Sequence, residues 1–173
     1  SKNHSQYAAV GVDQATVDAY WKIGDINGGF CPVISSDPSV DFLYEDAKKV
    51  GNIIATTDPL VYQYASVVIV DINLDVVKYK DGVGQITDYD VPMTDFESAI
   101  RSIGKHCRPD VLVLVETTVP PGTCSKIVKP ILLEELTKRG LDAGELKVAH
   151  SYERVMPGPA YIDSIKNFYR VYA

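Results

Sequence analysis

Four polar stretches carry residue types that could do chemistry, and each follows an apolar run: Asp13, Asp71 to Asp75 (DINLD), Glu116 to Thr123 (ETTVPPGT) and Ser151 to Arg154 (SYER). A carboxylate that closes a strand just before a helix, as Asp13 closes YAAVGV, can accept hydrogen bonds from both hydroxyls of an adenosine ribose. Asp is also a common helix N-cap, and for Asp13 in isolation capping is the better explanation. In ETTVPPGT two adjacent prolines stop strand pairing by Val119. Gly122 and Thr123 then offer a flexible residue and a candidate helix cap. A turn at the carboxyl end of a strand, opening into a helix, is where open α/β sheets bind ligands. A well-made strand-to-helix turn with no ligand would read the same way.

The elements that must position these residues follow from periodicity. Strands are expected at Tyr7 to Val12, Asn52 to Ala55, Ser66 to Val70, Asp110 to Val115, Lys147 to His150 and Tyr169 to Ala173. The first, third and fourth are apolar on both faces, the pattern of buried parallel strands. Helices are expected over Gln14 to Lys22, from Asp37-Pro38 to Val50 (Phe42, Leu43, Ala47 and Val50 on one face), and from Pro59 to Tyr64. Further ones run from Thr94, in a capping box with Glu97, to His106, then over Ser125 to Arg139 and Ile162 to Asn167. Ser1 to Gln6 is expected to be frayed, Gly24 to Pro38 to be a loop, and Asp75 to Pro92 to be a polar loop. Strands alternating with helices mean βαβ units and a doubly wound parallel sheet with right-handed crossovers. In such a sheet the strand ends at Asp13, Asp71, Thr117 to Thr118 and Ser151 to Arg154 share one edge.

Composition narrows the partners. The 173 residues suffice for one domain, read as spanning 1–173, with 46% apolar and 23% charged residues fitting a globular chain. The net charge of −6 and scattered basic residues argue against nucleic acid and anionic membrane as partners. No run is long enough to cross a bilayer and no signal-peptide pattern is visible, so a cytoplasmic location is expected. Cys31, Cys107 and Cys124 lack metal-site or redox spacing, and His4, His106 and His150 are dispersed. No metal is expected.

Four motifs, in order and at about the right spacing, resemble the UDP-glucose/GDP-mannose 6-dehydrogenase family: GVD at Gly11 to Asp13, ATTD at Ala55 to Asp58, TTVPPGT at Thr117 to Thr123, and HSYERVMPG at His150 to Gly158. The last is similar to the S-P-E-R-V-M-P-G form of members that oxidise UDP-N-acetyl-hexosamines. The resemblance implies a Rossmann-like NAD-binding domain of an enzyme that takes a sugar C6 alcohol to a carboxylate in two NAD-dependent oxidations, through a thiohemiacetal and a thioester. It implies that Asp13 holds the adenosine ribose of NAD, that Asp71, Ile72 and Asn73 line the nucleotide, and that Thr117, Thr118 and Val119 lie beside the nicotinamide half. Thr118 would help position a water and Glu153 would act as general base or water-orienting carboxylate. Arg154, Val155 and Met156, with Glu153, would face the UDP-sugar.

Departures from the family pattern set further expectations. The first strand with its G-x-G-x-x-G loop and the later cysteine motif are absent, so this chain alone is expected to be inactive and to hold pyrophosphate weakly. Cys31, in GGFCP, lies in the wrong place for the nucleophile and is read as structural. Tyr152 replaces a proline, and DINLD departs from the usual V-P-T-P turn. Lacking their shared neighbour, the Tyr7 and Ser66 strands should either pair directly or recruit another segment or copy, which favours a homo-oligomer. Two other readings compete: a non-catalytic nucleotide-binding or interaction module, and another dehydrogenase of the 6-phosphogluconate-like superfamily.

Overall fold

The computed structural model describes residues 6–173; the frayed stretch expected at the amino terminus, apart from Gln6, and His4 lie outside the described residues. In chain order the elements are β1 (Ala9–Val12), α1 (Val17–Gly28), α2 (Ser39–Val50), β2 (Ile53–Thr56), β3 (Val67–Val70), β4 (Val77–Lys80), β5 (Ile86–Asp90), α3 (Thr94–His106), β6 (Leu112–Val115), α4 (Lys129–Lys138), β7 (Lys147–His150) and α5 (Tyr161–Asn167). A 3-10 segment covers Pro59–Tyr64 and a π turn covers Cys124–Val128. The chain divides into two compact units, residues 6–61 with Arg154–Tyr169, and Tyr62–Glu153 with Arg170–Ala173.

In the first unit β1 and β2 pair in parallel, Ala9 opposite Ile53 through Val12 opposite Thr56. Little apolar surface is buried here: Ala19, Val40 and Ala55 are its buried hydrophobic residues. Polar clamps hold it instead. The Asn27 amide donates to the Ala55 carbonyl and accepts the Ala55 N–H, both at 2.8 Å, extending β2 as a strand neighbour would. Tyr44 Oη donates to the Ile26 carbonyl at 2.9 Å. These clamps carry α1 on to Gly28, where a loop was expected, and Gly29 ends it in the left-handed conformation at φ 83°. Asp37 accepts the N–H of Ser39 at the start of α2 (2.9 Å) and of Ile162 at the start of α5 (2.9 Å).

The second unit is built around a parallel sheet in the order β3-β6-β7. α3 and α4 lie against one another and cover it with Phe96, Ile100, Ile103, Leu132 and Leu136, packed on Val68, Val70, Val113 and Val115. Gly104 permits the close approach: a Cβ there would stand 2.9 Å from Cβ of Glu135. Glu135, buried, accepts from Arg101 (2.6 Å) and Lys138 (3.0 Å), and both cations hold its carboxyl below the usual range. Arg139 donates to the Gly104 and Cys107 carbonyls, satisfying orphan acceptors at the end of α3.

Taken separately, β2-β1 and β3-β6-β7 each repeat a run of neighbours from the doubly wound strand order 3-2-1-4-5-6, namely 3-2 and 4-5-6. The fold class is therefore the expected one, a Rossmann-like α/β arrangement of parallel strands.

Several local expectations need correction. β1 is largely exposed, because its only ladder partner among the described residues is β2. β3 alternates, with Val68 and Val70 buried and Val67 and Ile69 exposed, so one of its faces is covered rather than two, whereas in β6 Val113 and Val115 are buried and Leu112 and Leu114 half-buried. Phe42 points to solvent at 68% exposure, and α2 turns Val40, Leu43 and Ala47 inward instead. Thr94 does not cap α3: Met93 is already near-helical at φ −93°, and Thr94 is the first helical residue. The polar loop contains an antiparallel hairpin, β4-β5, whose turn is closed by Asp81 Oδ1 accepting from Val83 and Gln85 and by Gly84 at φ 86°. The helix expected from Ser125 opens as a π turn, with the Lys129 N–H donating to the Cys124 carbonyl. Pro130 accounts for it, since proline has no N–H and its ring crowds the carbonyl four residues back. No strand forms at Tyr169 to Ala173, although Ala173 exchanges two backbone hydrogen bonds with His150 (2.8 and 3.0 Å).

Candidate active site

Within the second unit, the turn after β6 and the segment after β7 are tied together. Past the ladder, the Ser151 N–H donates to the Val115 carbonyl at 3.0 Å and the Glu153 N–H to the Glu116 carbonyl at 3.3 Å. The β7 side advances two residues while the β6 side advances one, the mismatch of a bulge, and it turns the Glu153 segment at the sheet edge. His150 Nε2 lies 3.4 Å from the Thr117 carbonyl oxygen. Glu116 itself is held by Arg170, whose Nη1 donates to Oε1 at 2.5 Å. The backbone of Glu153 therefore bonds to a residue two positions before Thr118.

Thr117 and Thr118 divide the labour of their turn. The Thr117 hydroxyl is buried and accepts the Ile72 N–H at 2.7 Å, with the Ile72 carbonyl 3.1 Å away as its acceptor. Its side chain thus pins the Asp71 to Asn73 turn at the end of β3 to the end of β6. Thr118 is exposed and Val119 half-buried. Asp71 and Asn73 are exposed, and the Asn73 amide donates to Asp75 at 3.2 Å. The structure brings Asp71, Ile72, Asn73, Thr117, Thr118, Val119 and Glu153 to the carboxyl ends of β3, β6 and β7. A cavity of about 490 Å³ adjoins this edge, lined by Val119, Pro120, Ser125, Lys129 and His150 among others. Thr118 and Glu153 do not line it.

The first unit carries Asp13, Arg154, Val155 and Met156. Asp13 is exposed at the carboxyl end of β1, where its Oδ1 accepts the Gln14 N–H at 2.7 Å. Capping does not occupy it, because Thr16 is the N-cap of α1 and accepts the Ala19 N–H. An exposed carboxylate at a strand end can accept hydrogen bonds from both hydroxyls of a ribose, so Asp13 has the chemistry that one end of a dinucleotide needs. Arg154 lies over the Phe168 ring at 5.6 Å. The Met156 N–H donates to Oγ of the buried Ser164, whose hydroxyl donates to the Tyr161 carbonyl.

The three thiols are unbonded to one another. Burial pushes the Cys107 and Cys124 thiols up, the opposite of an activated nucleophile. Cys31 Sγ lies 3.7 Å from the Val33 carbonyl within its loop.

Sequence reasoning gave no supporting role to Glu116, Arg170, Asp37 or Ser164. Glu116 stands inside ETTVPPGT, so an acid at the mouth of the turn could have drawn notice. Nothing in the spacing links it to Arg170, 54 residues on, or Asp37 to Ile162, 125 residues on.

UDP-N-acetyl-D-mannosamine dehydrogenase of Pyrococcus horikoshii is 40% identical over 79 residues, which are 45% of this chain and 18% of that protein. The crystal structure of NDP-N-acetyl-D-galactosaminuronic acid dehydrogenase from Methanosarcina mazei Go1 matches 98% of this chain and 34% of its own, at 26% identity and a TM-score of 0.79. That of UDP-D-ManNAc dehydrogenase from Pyrococcus horikoshii matches 98% of this chain and 36% of its own, at 26% identity and a TM-score of 0.73. The chain thus spans about a third of the length of these solved relatives. Its residues 3–171 match the model of the NAD binding domain of the UDP-glucose/GDP-mannose dehydrogenase family, and the chain belongs to that family as its NAD-binding domain.

Proposed function

We propose that this chain is the cofactor-binding part of a nucleotide-sugar 6-dehydrogenase that oxidises the C6 alcohol of a UDP-N-acetyl-hexosamine to a carboxylate. The observation that supports it most is the hydrogen bond from the Glu153 N–H to the Glu116 carbonyl, two residues before Thr118. It supports the reading because the Glu153 segment and the exposed Thr118 hydroxyl follow strands that are neighbours in one sheet. NAD, when bound, supplies the hydride acceptor. Asp13 holds its adenosine ribose, Asp71, Ile72 and Asn73 line the nucleotide, and Thr117 to Val119 flank the nicotinamide half. Thr118 orients a water and Glu153 withdraws its proton, while Arg154, Val155 and Met156 contact the UDP-sugar.

Residues 1–173 form one NAD-binding domain in this reading, working in the cytoplasm as a homo-oligomer. Among the described residues no helix is long and apolar enough to cross a membrane. The sequence contains neither G-x-G-x-x-G nor the family's cysteine motif, so the chain alone should turn over no substrate. The test is the full-length protein carrying this domain, given NAD and a UDP-N-acetyl-hexosamine. NADH should accumulate at two per sugar; a wild-type protein that binds both and forms none overturns the reading.

A further inference from the structure

We propose that Arg170 is the positioning residue for Glu153, acting through Glu116 across the segment after β7 that carries Glu153. Alternation along β7 sets the geometry. Lys147, Ser151 and Glu153 send their N–H groups toward β6, to the Val111, Val115 and Glu116 carbonyls. His150 faces the other way and exchanges both its backbone bonds with Ala173. Ala173 therefore lies on the outer edge of β7, with Arg170 three residues before it, and Glu116 lies on the inner side. Their ion pair spans the β7 extension from one flank to the other. Neighbouring strands stand about 4.8 Å apart, so only a long side chain makes that reach.

Partial burial gives the pair weight. The Glu116 side chain is 16% exposed and that of Arg170 29% exposed, so the charge-assisted bond is shielded from full solvent screening. The residue whose carboxylate Arg170 grips is the residue whose carbonyl receives the Glu153 N–H. Where the regular register has slipped, this contact ties the Glu153 backbone to the strand that leads into the Thr117–Thr118 turn. The role deepens the dehydrogenase reading, since it matters to chemistry only if Glu153 works on substrate.

The test uses this chain labelled with nitrogen-15 and, separately, the full-length protein. In Arg170→Ala the Glu153 amide resonance should move and its exchange protection fall about tenfold, the loss expected for a charge-assisted bond, while the Val113 amide in β6 keeps its protection. The charge swap Glu116→Arg with Arg170→Glu should restore the Glu153 amide, and Arg170→Lys should restore it in part. If Arg170→Ala does not fold, the isosteric Glu116→Gln decides on the same amide. A Glu153 amide unchanged in these variants, or one that loses protection only together with Val113, overturns the proposal. In the full-length protein kcat should fall with KM for NAD unchanged. A wild type without turnover counts against the dehydrogenase reading alone, because the amide result stands on its own.

Discussion

The two units of this chain are held together by different means. In the second, Phe96, Ile100, Val113, Val115, Leu132 and Leu136 are wholly or almost wholly buried, and the sheet edge rests on that core. In the first, side-chain amides, hydroxyls and one carboxylate replace a core, while Tyr7, Val17, Tyr20, Trp21 and Phe42 stay more than half exposed. Apolar burial is non-directional and cumulative, so it tolerates local loss; a polar clamp depends on one geometry and fails when one partner goes. Thr118 and Glu153 therefore sit on the stiffer support, and Asp13 and Arg154 to Met156 on the more easily released one.

Phe96→Ala should destabilise the second unit by about 3–5 kcal/mol in a denaturant melt, the cost of an unfilled core site. Phe42→Ala should stay within about 0.5 kcal/mol, as for exposed positions generally; equal effects would refute the contrast. Asn27→Ala should cost about 1–3 kcal/mol, read as earlier hydrogen exchange at β2 with β6 unchanged.

Asp37 sharpens the comparison through pH. The N–H groups of Ile162 and Ser39 hold its carboxyl below its ordinary value of 3.8. The ionised form is thus the one the fold prefers: its stabilisation is complete above about 3.8 and is lost as pH falls through the lower folded value. Exchange protection of α5 should fall with acid in that window, and Asp37→Asn should be flat there. Substituting Val83, at the 83%-exposed hairpin turn, should move neither unit by more than about 0.5 kcal/mol.

Local grammar made the strand-to-helix junctions legible. TTVPPGT and SYERVMPG marked the ends of β6 and β7, and strands alternating with helices gave the fold class. Pattern alone could not tell how many faces of a strand would be covered, which is why β1 and β3 read as buried. Nor could it see the hairpin, where Val77 and Tyr79 alternate with lysines in a segment punctuated by aspartates and glycines. The supporting contacts of the site were hidden for a different reason. Glu116–Arg170, Thr117–Ile72 and Asp37–Ile162 are bonds between distant residues, and tertiary structure alone brings such partners together.

Titration of the nitrogen-15 chain with NAD tests the central claim most directly. Saturable shifts, with a dissociation constant on the order of millimolar for a sequence with no G-x-G-x-x-G run, should map to Asp13, Asp71 to Asn73 and Thr117 to Val119. Shifts confined to other residues, or none at all, would contradict the assignment of these residues to the dinucleotide.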